Sequence, residues 1–368
     1  MSGFGPKPRL SLFSWTLGCV TVLTFAVFTT STEAAPERKK AIWGPVERNG
    51  VSQFPIYRDL GVGIYQAALR WSDVAARRPA EPTDPADPAY AWPAELDRAA
   101  AEGRRYGIRL SVTVMGTPGW ANGGRDPRWA PTRPGDFADF VTAASRRYPS
   151  VRLWLIWGEP TKPANFQPLR PDGGRPLRGR GLRGPRRYAQ LLDAAYGALK
   201  RVNRRDLVIG GNTWTAGTVR PRHWISALRL PGGRRPRMDL YGHNPFSVRA
   251  PRLSGRPLGN GYADFADLDT LARWLDRAFG RRLRLFLSEY TLPTAHANHE
   301  FNFHVSERTQ AQWIGTALRE ARRWSRIYTL GYLGLYDDPV RPDGMQVERG
   351  LLRRDGSRKP SYAAYRDG

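Results

Sequence analysis

Cysteine and histidine are scarce in this sequence, and their scarcity limits the chemistry that it can carry. The single cysteine, Cys19, lies in an apolar run near the N-terminus. A disulfide framework is therefore excluded, and so is a thiol nucleophile if that run is removed. Of the five histidines, His296, His299 and His304 share the stretch "AHANHEFNFH". No Cys or Asp cluster joins them, so we predict a loop that lines a cleft, with no metal and no cofactor.

Lysine is also rare, although the chain is strongly basic. Lysine and arginine together number 58 against 33 acidic residues, which gives a formal net charge of +25 at pH 7. Most of the cations are arginines, because lysine occurs only at Lys7, Lys39, Lys40, Lys162, Lys200 and Lys359. The charge fits either a solvated basic surface or attraction to a polyanion, such as an acidic glycan, an acidic cell envelope or nucleic acid. No nucleic-acid-binding motif accompanies it, so we expect no nucleic-acid partner.

Residues 1–34 have the pattern of an export signal. Lys7 and Arg9 precede an uncharged, largely apolar run at 10–28, and the small residues Thr32 and Ala34 follow at cleavage-site spacing. The run approaches the roughly 20 residues that span a bilayer, so an uncleaved membrane anchor is the alternative. We therefore expect a secreted or cell-surface protein that meets the membrane only through this segment and carries one domain at 35–368.

In that domain, short apolar runs alternate with helical patterns. Eight runs rich in β-branched and aromatic residues predict strands at 41–46, 61–71, 107–116, 151–158, 206–214, 238–246, 283–290 and 327–336. Apolar residues at three- and four-residue steps predict helices at 91–107, 134–148, 185–203, 221–230, 267–280 and 306–324.

This alternation predicts an α/β fold with parallel strands, and eight units favour a (β/α)₈ TIM barrel with a single catalytic domain. An open doubly wound sheet is the competitor, but no GxGxxG follows the first strand. Long Gly- and Pro-rich loops follow the second, third and fourth strands. A barrel keeps its active site in the loops at the carboxyl ends of its strands, so we expect a cleft there.

Two glutamates close hydrophobic strands of the predicted barrel. Glu159 ends the fourth strand in "LWLIWGEP", and Glu289 ends the seventh in "LFLSEY". Two carboxylates that face one cleft are the groups that glycosidic hydrolysis requires. A single strand-end glutamate is as well explained by pairing with an arginine, but the two together favour catalysis.

These stretches resemble the retaining glycoside hydrolases of clan A, particularly families 39 and 5. That clan carries its acid/base in a W-N-E-P motif after the fourth strand and its nucleophile in an (S/T)-E motif at the seventh. The resemblance spans roughly residues 42–366 and rests on the order and spacing of several motifs. It implies that Glu159 is the acid/base and Glu289 the nucleophile.

The resemblance also implies a set of substrate-binding residues. Arg70, together with Tyr241 or His243, would steady the nucleophile, from the stretches "ALRWSDV" and "MDLYGHNPF". Four aromatic residues would face a sugar or pack in the core, namely Trp120 in "GTPGWANG", Trp157, Trp214 and, after the eighth strand, Tyr336.

One position departs from the clan's pattern. Gly158 stands where the clan has an Asn whose amide contacts the sugar 2-hydroxyl. We expect either that Asn212 or Asn165 replaces this contact, or that the natural sugar does not present that hydroxyl.

The sequence thus predicts an exported glycoside hydrolase that uses a double-displacement mechanism on a neutral or anionic oligo- or polysaccharide. Two alternatives stay open. Gly158 also fits a non-catalytic glycan-binding barrel, and the net charge also fits a basic cell-envelope or nucleic-acid-binding protein.

The leader generates a prediction about the mature protein. If it is cleaved, N-terminal sequencing of the exported protein should begin near residue 35. A membrane-bound product that begins at Met1 would instead show that the segment is an anchor.

Overall fold

A computed structural model describes residues 39–247, 249–253, 255–297 and 301–368. The predicted export signal, Cys19 and His299 lie outside the described residues, so the predictions about them stay predictions. Within the part that is described, no helix combines the length and the hydropathy needed to cross a membrane.

The predicted barrel is confirmed. Eight parallel strands form one closed sheet in chain order, and the first strand pairs with both the second and the eighth. The strands are β1 Lys40–Trp43, β2 Ile64–Arg70, β3 Arg109–Met115, β4 Leu153–Ile156, β5 Leu207–Trp214, β6 Leu240–Asn244, β7 Arg284–Tyr290 and β8 Ile327–Leu333. A small antiparallel hairpin, Glu47–Arg48 with Val51–Ser52, follows β1.

The six predicted helices are present, each within a few residues of its predicted bounds. They are α3 Ala94–Tyr106, α5 Pro134–Arg147, α6 Arg183–Val202, α7 Pro221–Ala227, α8 Leu268–Phe279 and α9 Glu307–Arg323. Four further short helices were not predicted, namely α1 Phe54–Asp59, α2 Trp71–Val74, α4 Gly119–Asn122 and α10 Pro360–Asp367. Single 3₁₀ turns occur at Gly179–Leu182, Pro231–Gly233 and Phe265–Asp267.

Side chains alternate between two apolar layers along each strand. In β4, Leu153 and Leu155 belong to a cluster that draws residues from every barrel strand except β3 and fills the barrel interior. Trp154 and Ile156 belong to the larger cluster between the strands and the helices. This two-residue period decides which strand-end side chains face the carboxyl opening of the barrel, here called the mouth.

The two-residue alternation of side chains is interrupted once in β7. Leu287 pairs with Leu330 and Tyr290 with Tyr332, so β7 contains one residue more than β8 between these two pairs. Leu287 and Tyr290 both pack in the outer layer, which leaves Ser288 and Glu289 to turn away from it. The close approach of the two strands occurs at Gly331, where a Cβ would overlap the Ser288 carbonyl oxygen.

Gly331 generates a stability prediction. Because backbone atoms cannot yield easily, Gly331→Ala should lower the free energy of unfolding by about 1–3 kcal/mol or more. Gly135→Ala is the matched control, since a Cβ there meets nothing within 4 Å. That helical substitution should be neutral or stabilising by about 0.5–1 kcal/mol. Equal denaturant midpoints for both variants would contradict this account of β7.

Candidate active site

Glu159 lies at the mouth, in a short and strained segment that follows β4. Trp157 and Glu159 both have left-handed backbone angles, with φ of 68° and 43°. Such angles are unfavourable for residues other than glycine and cluster at functional sites. The turn sends the Trp157 ring into the outer layer and leaves the Glu159 side chain, 9% exposed, among polar neighbours.

Both oxygens of this carboxylate have hydrogen-bond donors. Asn244, the last residue of β6, donates from Nδ2 to Oε1 at 2.9 Å. Lys162 lies three residues beyond Glu159, and its Nζ is 2.6 Å from Oε2. The carboxylate is thus held on one side by an amide and on the other by an ammonium.

Glu289 is half-buried near the carboxyl end of β7, in the stretch where that strand carries its extra residue. The backbone before it is held tightly. Gln66 of β2 donates to the Ser288 carbonyl at 2.8 Å and accepts from the Ser288 hydroxyl at 3.0 Å. Trp43, at the end of β1, donates from its indole nitrogen to the same hydroxyl at 3.4 Å. β7 is therefore anchored across the barrel at the residue before Glu289.

Arg70 ends β2 and is exposed, as predicted for a residue of the mouth. It lines a cavity of about 290 Å³ together with Met115 and Asn165. It forms no hydrogen bond or ion pair with the described residues, so the predicted contact between Arg70 and Glu289 is not made here. The guanidinium is instead open to this cavity.

Three of the four predicted aromatic platforms share an unexpected feature, which is a cation above the ring. Trp214, half-buried at the end of β5, has Lys162 Nζ 4.5 Å from its ring centre. Trp120 has the Arg78 guanidinium at 4.4 Å, and Tyr336 has that of Arg48 at 4.1 Å. A sugar that stacks on one of these faces must therefore move a cation first.

Tyr336 also borders a larger cavity. This space of about 550 Å³ lies at the carboxyl ends of β1 and β8, and its wall includes Trp43, Arg48, Tyr336, Asp338 and Arg349. Arg349 is paired with Asp338 at 3.1 Å. Trp43, which was not predicted from the sequence, thus forms part of the aromatic and polar wall of this cavity.

Three predicted substrate contacts require correction. Trp157, Tyr241 and His243 have no accessible surface. The Trp157 ring packs edge-on against Phe166 and donates its indole N–H to the Asn165 carbonyl at 2.8 Å. Tyr241 belongs to the outer layer, so it faces away from the mouth. These three side chains are fully buried beneath the site, so none of them is exposed to a substrate.

A chain of hydrogen bonds explains what Tyr241 and His243 do. His243 Nε2 donates to the Ala263 carbonyl at 2.9 Å, so its Nδ1 accepts from the Thr213 hydroxyl at 2.8 Å. The Tyr241 hydroxyl lies 3.3 Å from the same Thr213 oxygen. Burial lowers the pKa of His243 from 6.5 to about 4, which keeps the ring neutral.

This chain stabilises a second irregularity, in β5. Gly210 pairs with Tyr241 and Thr213 with His243, so β5 carries one extra residue there. Gly211 has φ of 88° and lies so close to the Tyr241 ring that a Cβ would overlap it. The next residue, Asn212, is turned inward with φ of 42°. Its Nδ2 lies 3.5 Å from the Trp157 carbonyl, while its buried Oδ1 has no partner among the described residues.

Gly158 is not required by the backbone or by close packing. A Cβ there would lie 3.4 Å from the Met115 sulfur, which is an ordinary contact distance. Asn165 Nδ2 lies 3.4 Å from the Gly158 carbonyl, and Asn165 also lines the cavity beside Arg70. Of the two amides predicted to replace the missing Asn, Asn165 therefore faces open space, whereas Asn212 is 2% exposed.

Possible metal ligands do not converge in the described ranges, which contain no group of three or more His, Cys, Asp or Glu side chains. His296 lies 3.1 Å from a carboxylate oxygen of Glu348.

The closed parallel barrel, with a glutamate at the carboxyl ends of β4 and β7, has the fold of the clan A glycoside hydrolases. The sequence matches no protein-family model, and no curated protein is significantly similar to it. Solved structures, however, resemble it clearly. A family 39 glycoside hydrolase from Bacteroides cellulosilyticus WH2 superposes with a TM-score of 0.64 at 19% identity, over 89% of this chain and 62% of that one.

Two further structures support the same assignment of fold. A glucosidase from Croceicoccus marinus has a TM-score of 0.61 at 15% identity, over 90% of this chain and 65% of that one. A family 39 β-xylosidase from Caulobacter crescentus has a TM-score of 0.58 at 16% identity, over 90% and 70%. The chain thus spans less than two thirds of the length of the first two. The predicted resemblance in fold is confirmed.

The buried His243 generates a prediction about pH. Its pKa is lowered by folding, so between pH 6.5 and about pH 4 the unfolded chain binds a proton that the folded chain does not. Stability should therefore fall as the pH falls through this range, by up to about 3 kcal/mol from this residue. His243→Gln should show a weaker pH dependence of unfolding in denaturant. Substitution of the exposed His304 by Gln should leave the wild-type dependence unchanged, and identical slopes for all three proteins would contradict the account.

Proposed function

We propose that this protein is a glycoside hydrolase that retains anomeric configuration. The observation that carries the proposal is the placement of Glu159 and Glu289 after β4 and in β7, at the same end of one closed barrel. The similarity in fold to a glucosidase and a β-xylosidase supports it.

The proposed mechanism divides the reaction between the two carboxylates. Glu289 attacks the anomeric carbon and forms a covalent glycosyl-enzyme, while Glu159 gives a proton to the departing oxygen. Glu159 then takes a proton from water, whose oxygen attacks the same carbon and releases Glu289. These two steps require a distance of about 5–5.5 Å between the two carboxyl groups, whereas a distance of roughly 6.5–9.5 Å would suit an inverting enzyme.

A second candidate is a glycan-binding barrel without catalysis. Gly158 favours it, because the chain lacks the usual side chain before Glu159. The contact between Glu159 and Lys162 favours it as well, since a carboxylate oxygen engaged by an ammonium is not free to meet a glycosidic oxygen. We further propose that the protein acts outside the cytoplasm, on the basis of the leader at 1–34.

The roles of the two glutamates can be separated by mutation. Glu289→Ala should abolish turnover of every glycoside, because each cycle needs the nucleophile. Glu159→Ala should slow substrates with poor leaving groups by about 10²–10⁴-fold but spare activated aryl glycosides. Added azide should then release a glycosyl azide of retained configuration.

The matched control is Glu81→Ala, which removes an exposed carboxylate from the loop that follows β2. It should behave like the wild type. Activity that survives Glu289→Ala, or an inverted product, would refute the retaining mechanism. Binding of glycans without hydrolysis of any aryl glycoside would favour the non-catalytic barrel.

A further inference from the structure

The amino end of the barrel, where the strands begin, carries a high concentration of arginine. Each return from a helix to the next strand lies at this end, opposite the mouth. Six of these returns, counted from the last turn of the helix, contain twenty arginines and only two acidic residues. They are residues 104–109, 146–152, 201–206, 229–239, 277–284 and 322–326. The chain as a whole has 58 basic and 33 acidic residues, so the excess of positive charge is concentrated here.

The two acidic residues of these returns are already paired, so they do not offset the charge. Asp206 is buried, and its carboxylate lies 3.0 Å from the guanidinium of Arg152. The carboxylate of Asp239 lies 2.9 Å from the ammonium of Lys200. The positive charge of the other arginines therefore has to be balanced by acids on neighbouring helices or by groups outside the protein.

Some exposed arginines at this end use neither kind of internal partner. Their guanidinium groups form no hydrogen bond or ion pair within the described chain, and they include Arg104, Arg201, Arg204, Arg205, Arg282 and Arg323. A cation in the last turn of a helix offsets the helix dipole, which accounts for Arg104, Arg201 and Arg323. Arg204, Arg205 and Arg282 lie beyond the helices, in the loops that lead into β5 and β7. These three guanidinium groups are thus available to a partner.

The composition of this surface indicates a partner that binds through charge. The exposed large apolar side chains of the described chain are Val51, Leu258 and Val340, and all three follow strands, on the side of the mouth. No described aromatic side chain is exposed, so the amino end lacks the stacking platforms with which proteins bind single-stranded nucleic acid. Guanidinium groups spread over one end of a barrel suit an array of phosphates, because each fork can donate two hydrogen bonds to one phosphate.

The course of the chain favours a lipid bilayer as the source of those phosphates. The described chain enters the barrel at this end, through Lys39 and the start of β1 at Lys40. The apolar run at 10–28 precedes it, and residues 29–39 can span at most about 40 Å. If the predicted leader stays in the membrane, the amino end is the end that is held near the lipid surface. If the leader is cleaved, export still releases the protein beside a membrane.

We propose that the amino end of the barrel is a docking surface for an anionic lipid bilayer. The protein lies on the headgroups with its mouth turned away, so the cleft stays open to molecules that approach from solvent. Each arginine close to an anionic membrane contributes about fivefold to the binding constant. The inference goes beyond the proposed function and holds whether or not the protein hydrolyses glycosides.

The test uses the chain without residues 1–34, which keeps all eight strands and cannot insert through the leader. Vesicles of equal parts phosphatidylglycerol and phosphatidylcholine should carry this protein upward in a density gradient at low salt. Vesicles of phosphatidylcholine alone should not. Binding should be lost in about 1 M salt, where the Debye length is about 3 Å.

Substitution of three available arginines locates the surface. Arg204→Gln, Arg205→Gln and Arg282→Gln together should weaken binding to the anionic vesicles about 10²-fold, because each charge contributes about fivefold. All three side chains are exposed, so the thermal unfolding midpoint of this variant should match that of the wild type.

The matched control removes three arginines from the other end of the barrel. Arg170, Arg178 and Arg180 are exposed between β4 and α6, and their side chains form no hydrogen bond or ion pair within the described chain. Their combined replacement by Gln changes the net charge by the same amount. This variant should bind the anionic vesicles nearly as well as the wild type, because charges more than a Debye length of about 10 Å from the lipid are screened.

A single fluorophore reports the orientation of the bound protein. The only cysteine, Cys19, is absent from the shortened chain, so Ser150→Cys at the amino end and Ala164→Cys beside the mouth each provide one labelling site. Both positions are exposed. Binding to the anionic vesicles should shield a fluorophore at residue 150 from a water-soluble quencher and leave one at residue 164 accessible.

Failure to bind the anionic vesicles would overturn the proposal, and so would shielding of residue 164 instead of residue 150. Equal loss of binding in the two triple variants would also overturn it, since net charge would then act without a preferred face. Tighter binding to duplex DNA than to vesicles, abolished by the amino-end substitutions, would assign the surface to nucleic acid and refute a lipid partner.

Discussion

The strict alternation of side chains in a closed barrel is the constraint on which this site depends. Each strand that obeys it sends every second side chain into a filled interior and the others toward the helices. Three strands add one residue each, near Asn212 in β5, near Glu289 in β7 and near Tyr328 in β8. The first two additions lie close to polar residues at the mouth, while the interior cluster below them stays apolar.

Much of the fold and part of the site follow from the sequence, because periodicity is a local property. The eight strands, the six long helices and the strand-end positions of Glu159 and Glu289 were all predicted from it. The inward position of Asn244 could also have been predicted from the sequence. Leu240 faces the interior, so two-residue alternation directs Asn244 inward and His243 outward. The resemblance to a family motif instead predicted a role at the site for His243.

The remainder of the site depends on features that periodicity does not encode. The positive φ angles of Trp157 and Glu159 reverse the direction of their side chains, and no local pattern marks them. The contact of Lys162 with Glu159 depends on that turn, and the inward turn of Asn212 depends on the extra residue in β5. The cations above Trp120 and Tyr336 come from distant segments, which only the folded chain brings together.

The rarity of lysine has a practical consequence for how the site can be observed. Among the lysines of the described chain, Lys40 and Lys359 are buried, and the Lys39 and Lys200 ammonium groups are bound to backbone carbonyls. An amine-directed reagent therefore meets few targets in the described chain, of which Lys162 is one. Peptide mapping after such labelling can report how accessible that amine is, in the unmutated protein and without knowledge of the natural glycan.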